Sequence, residues 1–150
     1  MSALEKPHLF CIYSEDIRNE ASGQSTIIGW FTNGAIQFPP IGILTLQRFG
    51  VQCILELPPA LMLESLKCDI LLGEQVLQSI VLPQEALQGF MADRDHQLAR
   101  DPHLRGFMVN VTLQLMNFAV PRPGALQVRA IVNGDAVVSN SIQFVAADMH

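Results

Sequence analysis

Charge is scarce in this chain. Asp, Glu, Lys and Arg make up 15% of its 150 residues, against about 25% in an average globular protein. With so few charges to cover the outside, apolar surface is left over. Large exposed apolar patches mark partner sites, so a protein partner or self-association is expected. The nine basic residues are scattered, Lys6, Arg48, Lys67 and Arg129 among them, and the net charge is −5. No basic cluster offers counterion-releasing contacts to a phosphate backbone, which argues against nucleic-acid binding.

Cysteine is equally sparse. Cys11, Cys53 and Cys68 are an odd set without a C-x-x-C pair. Each sits in an apolar run, where a free thiol behaves as a small hydrophobe. That use of cysteine fits a reducing cytosol. No apolar stretch approaches the ~20 residues of a bilayer-spanning helix. The opening MSALEKPHLF has no charged start followed by a long apolar run, so neither a membrane span nor a signal peptide is expected.

The chain also lacks the common catalytic signatures. There is no G-x-S-x-G elbow and no phosphate-cradling glycine loop. His8 and Cys11 stand three apart in a strand-like run, on opposite faces, and cannot form a nucleophile–base pair. Ser22 and Ser25 lie near carboxylates without a neighbouring histidine. No catalytic residue and no cofactor is expected.

What is present is alternation. In GFMVNVTLQLMNFAV, Phe107, Val109, Val111, Leu113 and Leu115 share one parity, and Met108, Asn110, Thr112 and Gln114 share the other. Successive strand side chains point to opposite faces, so one face lies in a core and the other looks outward. Pro121, Pro123 and Gly124 end that strand. The same grammar marks HLFCIYS, STIIGWF, AIQF (after Asn33-Gly34, stopping at Pro39-Pro40), ILTLQRFGVQCILEL, and LKCDILL with QVLQSIVL, joined through Gly73-Glu74. Gly50, in the middle of the longest of these, predicts a bulge or bend. Trp30 is expected in the core.

Asn133-Gly134 predicts a hairpin. A two-residue loop would set Val128 opposite Ser139 and Ala130 opposite Val137, and the apolar stripes would disagree. A three-residue loop or bulge pairs Leu126 with Ile142 and Ala130 with Val138, and is expected instead. Between Pro83 and Pro102, Leu87, Phe90, Met91 and Leu98 have helical spacing. Pro83 suits the first helical position, Glu85 the positive end of the helix dipole, and Asp101 should lie outside.

Two clusters carry candidate chemistry. In an extended CIYSEDIRNE, Asp16, Arg18 and Glu20 lie side by side on one face, ahead of a turn at Ala21-Ser22-Gly23-Gln24. They form either a binding patch in which Arg18 holds an anion, or a charged strand margin that discourages edge-to-edge aggregation. The margin is the favoured reading, and these three are the tentative binding residues. In DRDHQLARDPH, the residues Asp93, Asp95, His96, Asp101 and His103 offer oxygen and nitrogen donors. They match neither a calcium loop nor a regular zinc spacing, so no metal site is assigned.

With these residues in view, the chain resembles an uncharacterised bacterial family, a domain of unknown function with an immunoglobulin- or C2-like β-sandwich character. The resemblance rests on Asp16, Arg18, Glu20 and Gly23, on Ile28-Gly29-Trp30-Phe31, and on GALQVRAIVNGDAVV. Gln24 stands where that pattern has lysine. The resemblance implies a bacterial cytosolic protein and brings no catalytic residues.

The expectation is therefore one all-β domain over residues 1–150: a two-layer antiparallel sandwich of eight or nine strands with one short helix in a crossover. Its expected role is a non-catalytic cytosolic interaction or scaffold module. The alternatives are a small enzyme or ligand-binding protein that assembles a site from distant residues such as Asp16, Arg18 and His103, and a calcium-dependent binder using Asp93, Asp95 and Asp101.

Overall fold

The computed structural model describes residues 3–22, 24–31, 34–39 and 42–146. Gly23, Asn33 and Pro40, each part of an expected turn or strand stop, lie outside the described residues. In chain order the elements are β1 (His8–Asn19), β2 (Ser25–Trp30), β3 (Ala35–Phe38), β4 (Leu44–Leu57), β5 (Leu66–Leu72), β6 (Gln75–Val81), α1 (Gln84–Arg100), β7 (Phe107–Val120), β8 (Gly124–Val132), β9 (Asp135–Val138) and β10 (Ile142–Ala146). They form two layers: a four-stranded sheet in the order β2-β1-β4-β7, and a second sheet in the order β3-β10-β8-β5-β6, with β9 alongside β8. The fold is the expected two-layer β-sandwich. It departs from the antiparallel expectation at one place, because β3 pairs with β10 in parallel, Ala35 beside Gln143.

Alternation sorts the residues as expected through the centre of the sheets. Phe107, Val109, Val111, Leu113 and Leu115 are all buried. The expected parity ends at Asn117, whose φ of 51° turns the strand, so that Phe118 and Val120 become the inward residues. Opposite, β4 makes the same change: Leu44 and Leu46 pack inward on one side of it, and Phe49, Val51, Cys53, Leu55 and Leu57 on the other. Since both strands shift together, their register stays constant from Leu44↔Val120 to Leu57↔Phe107.

Of the expected bulge or bend, Gly50 marks no bulge. Its neighbours Phe49 and Val51 point inward, so the missing side chain leaves a gap on the outer face. A Cβ there would stand 2.7 Å from Cγ1 of Ile17 and 2.8 Å from Oγ of Ser14. Ile17 is fully buried yet takes no part in the core cluster. Beyond Tyr13 the far half of β1 curls over the outer face, and Gly50 is the seat for Ile17. The curl carries β2 with it, since Asp16↔Ile28 and Ile17↔Ile27 are paired. Trp30 is consequently 55% exposed rather than in the core. It lies opposite Ser14, on the outward side of that hairpin.

The Asn133-Gly134 loop is a strict two-residue loop, Val132↔Asp135 and Ala130↔Val137, not the three-residue loop expected. The pairing of Leu126 with Ile142 is nevertheless present. The extra residue is absorbed farther along, at Ser139-Asn140, which divides one expected return strand into β9 and β10. Ser139 Oγ accepts the Val128 N–H at 2.9 Å, in the place of a backbone acceptor. Asn140 then reaches the other sheet. Its Oδ1 accepts the Cys11 N–H at 2.7 Å, and its Nδ2–H donates to the Cys11 carbonyl at 2.9 Å. The side-chain amide thus pairs with β1 like a piece of strand and ties the two layers at one edge.

Helix α1 fills the crossover from β6 to β7. Pro83 is its N-cap, in an extended conformation, rather than its first residue, so the helix begins one residue later than expected; Asp101 lies outside the helix, as expected. Leu87 is buried, and Phe90 and Met91 pack against the core. Arg94 is also buried, at 7% exposure. Its Nη1 donates to the Leu61 carbonyl and its Nη2 to Asp95 Oδ1 at 3.1 Å. It pins the helix to the β4–β5 connection. Arg94→Ala would leave that carbonyl without its charged donor, and a loss of about 1.5 kcal/mol is expected in urea unfolding. Among the described residues, no helix is long and apolar enough to cross a membrane.

Candidate interaction surface

The charged cluster sits at the far end of β1. Asp16 Oδ2 accepts from Arg48 Nη1 at 3.3 Å, and Arg18 Nε stands 3.9 Å from the same oxygen. Glu20 takes no part in this group. Its carboxylate accepts from Thr26 Oγ1 at 2.9 Å, across the hairpin. Two of the three candidate residues are thus brought together, and Arg48 joins them from β4. Both arginines are largely exposed, and such pairs contribute at most about 1 kcal/mol. They already face Asp16, which suits a charged hairpin margin.

His103 is not brought to this cluster. It precedes β7, whose Met108 lies in one row with Glu56 and His8, whereas Asp16 lies near the row of Arg48 and Met116. Eight residues of strand, about 27 Å, separate those rows. The second cluster is also dispersed. Asp95 is held by Arg94, and Asp101 Oδ1 accepts the His103 backbone N–H at 3.0 Å. Among the described residues no three His, Cys, Asp or Glu side chains converge.

The three cysteines are buried and free. Cys11 and Cys53 are cross-strand neighbours with sulfurs 3.6 Å apart. Contact with Cys11 and then burial push the Cys53 thiol up, and burial pushes Cys68 up to about 12. Cys53 and Cys68, held protonated in an apolar layer, are inert, whereas the contact with Cys53 outweighs burial and draws the Cys11 thiol down. Burial likewise pushes the Tyr13 hydroxyl up; it donates to the Asn140 carbonyl at 2.8 Å.

Besides Arg94, Asp69 is a second buried charge, and a single Asp inside LKCDILL is itself a signal in the sequence. Asp69 is 1% exposed, on the outer side of the second sheet. Ser79 Oγ donates to it at 2.6 Å, Arg129 Nη2 at 2.7 Å, and Lys67 Nζ lies 3.6 Å away. Burial alone would raise its pKa; Ser79, Arg129 and Lys67 outweigh that and hold it below the usual carboxylate range. A depressed folded pKa contributes stability above the unfolded value near ~3.9, which is lost as pH falls through the folded value. Thermal melts from pH 7 downward should therefore show the midpoint falling below about pH 4. In Asp69→Asn that acid limb should flatten.

The outer face of the four-stranded sheet has a different character. Phe10 and Ile12 of β1, Gln52 and Ile54 of β4, and Met108, Asn110 and Thr112 of β7 face outward. Their rows are fixed by register, Phe10–Ile54–Asn110 and Ile12–Gln52–Thr112. Thr112 Oγ1 donates to Gln52 Oε1 at 2.8 Å. The curled hairpin walls this face with Gln24, Ser25 and Ile27, enclosing a groove of about 640 Å³. Phe10 and Met108 are 50% and 53% exposed beside it. Charge is confined to the two ends of the face, Glu56 at one and Arg48 with Asp16 and Arg18 at the other. The alternation had marked these positions as outward; that β1 would shelter part of them depended on the contact of Ile17 with Gly50.

No protein-family model matches the chain, and no curated protein is detectably similar. Among solved structures it is similar to the crystal structure of CHIR-AB1, at 11% identity and a TM-score of 0.35, over 96% of this chain and all of that one. A likeness that remote assigns no function.

Proposed function

We propose that the protein is a non-catalytic interaction module of the bacterial cytosol, and that it binds a protein partner through the outer face and edge of its four-stranded sheet. The observation that carries this reading is the uncharged centre of that face, the rows of Phe10 and Ile12, where Phe10 stands in solvent, with exposed Met108 at its rim beside Glu56. An exposed apolar area rimmed by polar groups is the usual form of a protein-binding surface. The buried free thiols suit a reducing compartment, and the bacterial origin rests on the sequence resemblance.

The test is a comparison of proteins captured from the native host by the wild type and by a Phe10→Lys, Met108→Lys double variant. Both positions are exposed, so the variant should fold with little change in its melt. A partner held by the wild type and lost by the variant is the expected result. An identical set of captured proteins would overturn the reading.

One observation favours a ligand-binding alternative. The cavity beside Asp16, Arg18 and Arg48 has an apolar floor of Ile28, Ile36 and Leu46 and a volume of about 530 Å³. A thermal shift with amphipathic carboxylates, absent in Arg48→Ala, would support it.

A further inference from the structure

Strand β7 pairs with β4 on one side only. Among the described residues nothing pairs with its other edge. Just ahead of it, Leu4 N–H donates to the Arg105 carbonyl at 2.7 Å. Exposed edges are normally blunted by shortness, charge, proline or a bulge. The other outer strands are blunted in this way. β3 has four residues and β2 six, with Gly29 at φ 67°; β6 has seven and a register shift against β5. β7 has fourteen residues, none charged and none proline, and its pairing with β4 runs without a slip from Phe107 to Met116.

The residues of β7 are symmetric about Thr112. On the outward side Met108 and Met116 are equidistant from it, as are Asn110 and Gln114. On the inward side Val109 matches Leu115, and Val111 matches Leu113. Turned by 180° about Thr112, the strand presents to its own copy apolar groups inside, amides facing amides outside, and threonine opposite threonine. These are favourable cross-strand pairs. Two copies that each carry a net charge of −5 would meet along the longest strand without charge, so no like charges oppose each other.

We infer that β7 is a homodimerisation edge, pairing antiparallel with β7 of a second copy on a two-fold axis through Thr112. The partner this assigns rests on the interaction reading above. The two four-stranded sheets become one continuous sheet of eight, and the closed two-fold contact removes the open edge from both copies. From Met108 to Met116 the paired segment is about 27 Å long. A contact of that size lies at the weak end of specific interfaces, so a dissociation constant in the micromolar range is expected.

Sedimentation equilibrium of the full chain across the micromolar range should show a reversible monomer–dimer equilibrium. Register is tested by crosslinking, since the native thiols are buried. Under mild oxidation Thr112→Cys should give a disulfide dimer by itself. Asn110→Cys should do so only when mixed with Gln114→Cys, because directly opposite Cβ atoms stand about 5 Å apart. Thr112→Lys, which sets two cations against each other on the axis, should sediment as a monomer while keeping a cooperative melt. A wild type that stays monomeric, or a dimer in which Thr112→Cys fails to crosslink, overturns the inference. Host-protein capture that depends on Phe10, which lies on β1 outside the β7 seam, would survive either result, so the two readings fail separately.

Discussion

Phe49→Ala is expected to lower the stability of the fold by about 3–5 kcal/mol, the range for removing a fully buried aromatic ring. The position is more central than its burial alone conveys. Its ring stacks on Phe118 at 5.6 Å and on Tyr13 at 6.2 Å, and meets Phe31 and Phe144 at 6.4 Å each. Those partners come from β7, β1, the residue after β2, and β10, so the ring joins both layers. It also sits where β4 and β7 exchange inward parity, a bend that leaves little freedom for neighbours to close over a cavity. Urea unfolding followed by far-UV circular dichroism measures the loss from the midpoint at an unchanged slope. A loss under about 1 kcal/mol would mean that the site collapses freely and is not the junction of the two layers.

Gly50→Val should cost about 3 kcal/mol, at the upper end of overpacking. The added atoms would fall on Ile17 and Ser14, which already stand within 2.8 Å of an ideal Cβ. The sheet cannot yield, because β4 is paired on both sides through Gly50. The hairpin of β1 and β2 must lift instead. The specific consequence is coupling. In a double-mutant cycle with Ile17→Ala, which removes the side chain seated over the glycine, much of the loss should disappear. Strict additivity of the two substitutions would show that Gly50 is needed for some other reason.

The parts of this fold that were legible in the sequence are those governed by neighbours along the chain. Alternation alone placed Phe107 to Leu115 inside, and local turn chemistry placed the hairpin at Gly73-Glu74. The parts that were not legible depend on a partner far away in the chain. Gly50 reads as a bulge or bend until Ile17 is laid over it. The shift between Leu126↔Ile142 and Ala130↔Val137 was visible, but it was assigned to the loop. Its actual place is set by Ser139, whose side chain substitutes for a backbone acceptor, and by Asn140, which bonds a strand of the opposite sheet. Trp30 reads as a core residue of its strand, whereas that strand curls away over the outer face. In the charged cluster Asp16 and Arg18 were legible as neighbours. Arg48, thirty-two positions along the chain from Asp16, becomes their neighbour only through the pairing of β1 with β4.

The native cysteines offer the most direct test of the two-layer arrangement. Cys11 and Cys53 face inward from one sheet and Cys68 faces inward from the other. A disulfide reagent such as Ellman's, added to the folded protein under native conditions, should find no fast-reacting thiol, and all three should titrate at once in guanidinium. A single native cysteine that reacts at the rate of a free thiol would contradict the account, because at least one strand would then carry its apolar stripe on the wet side.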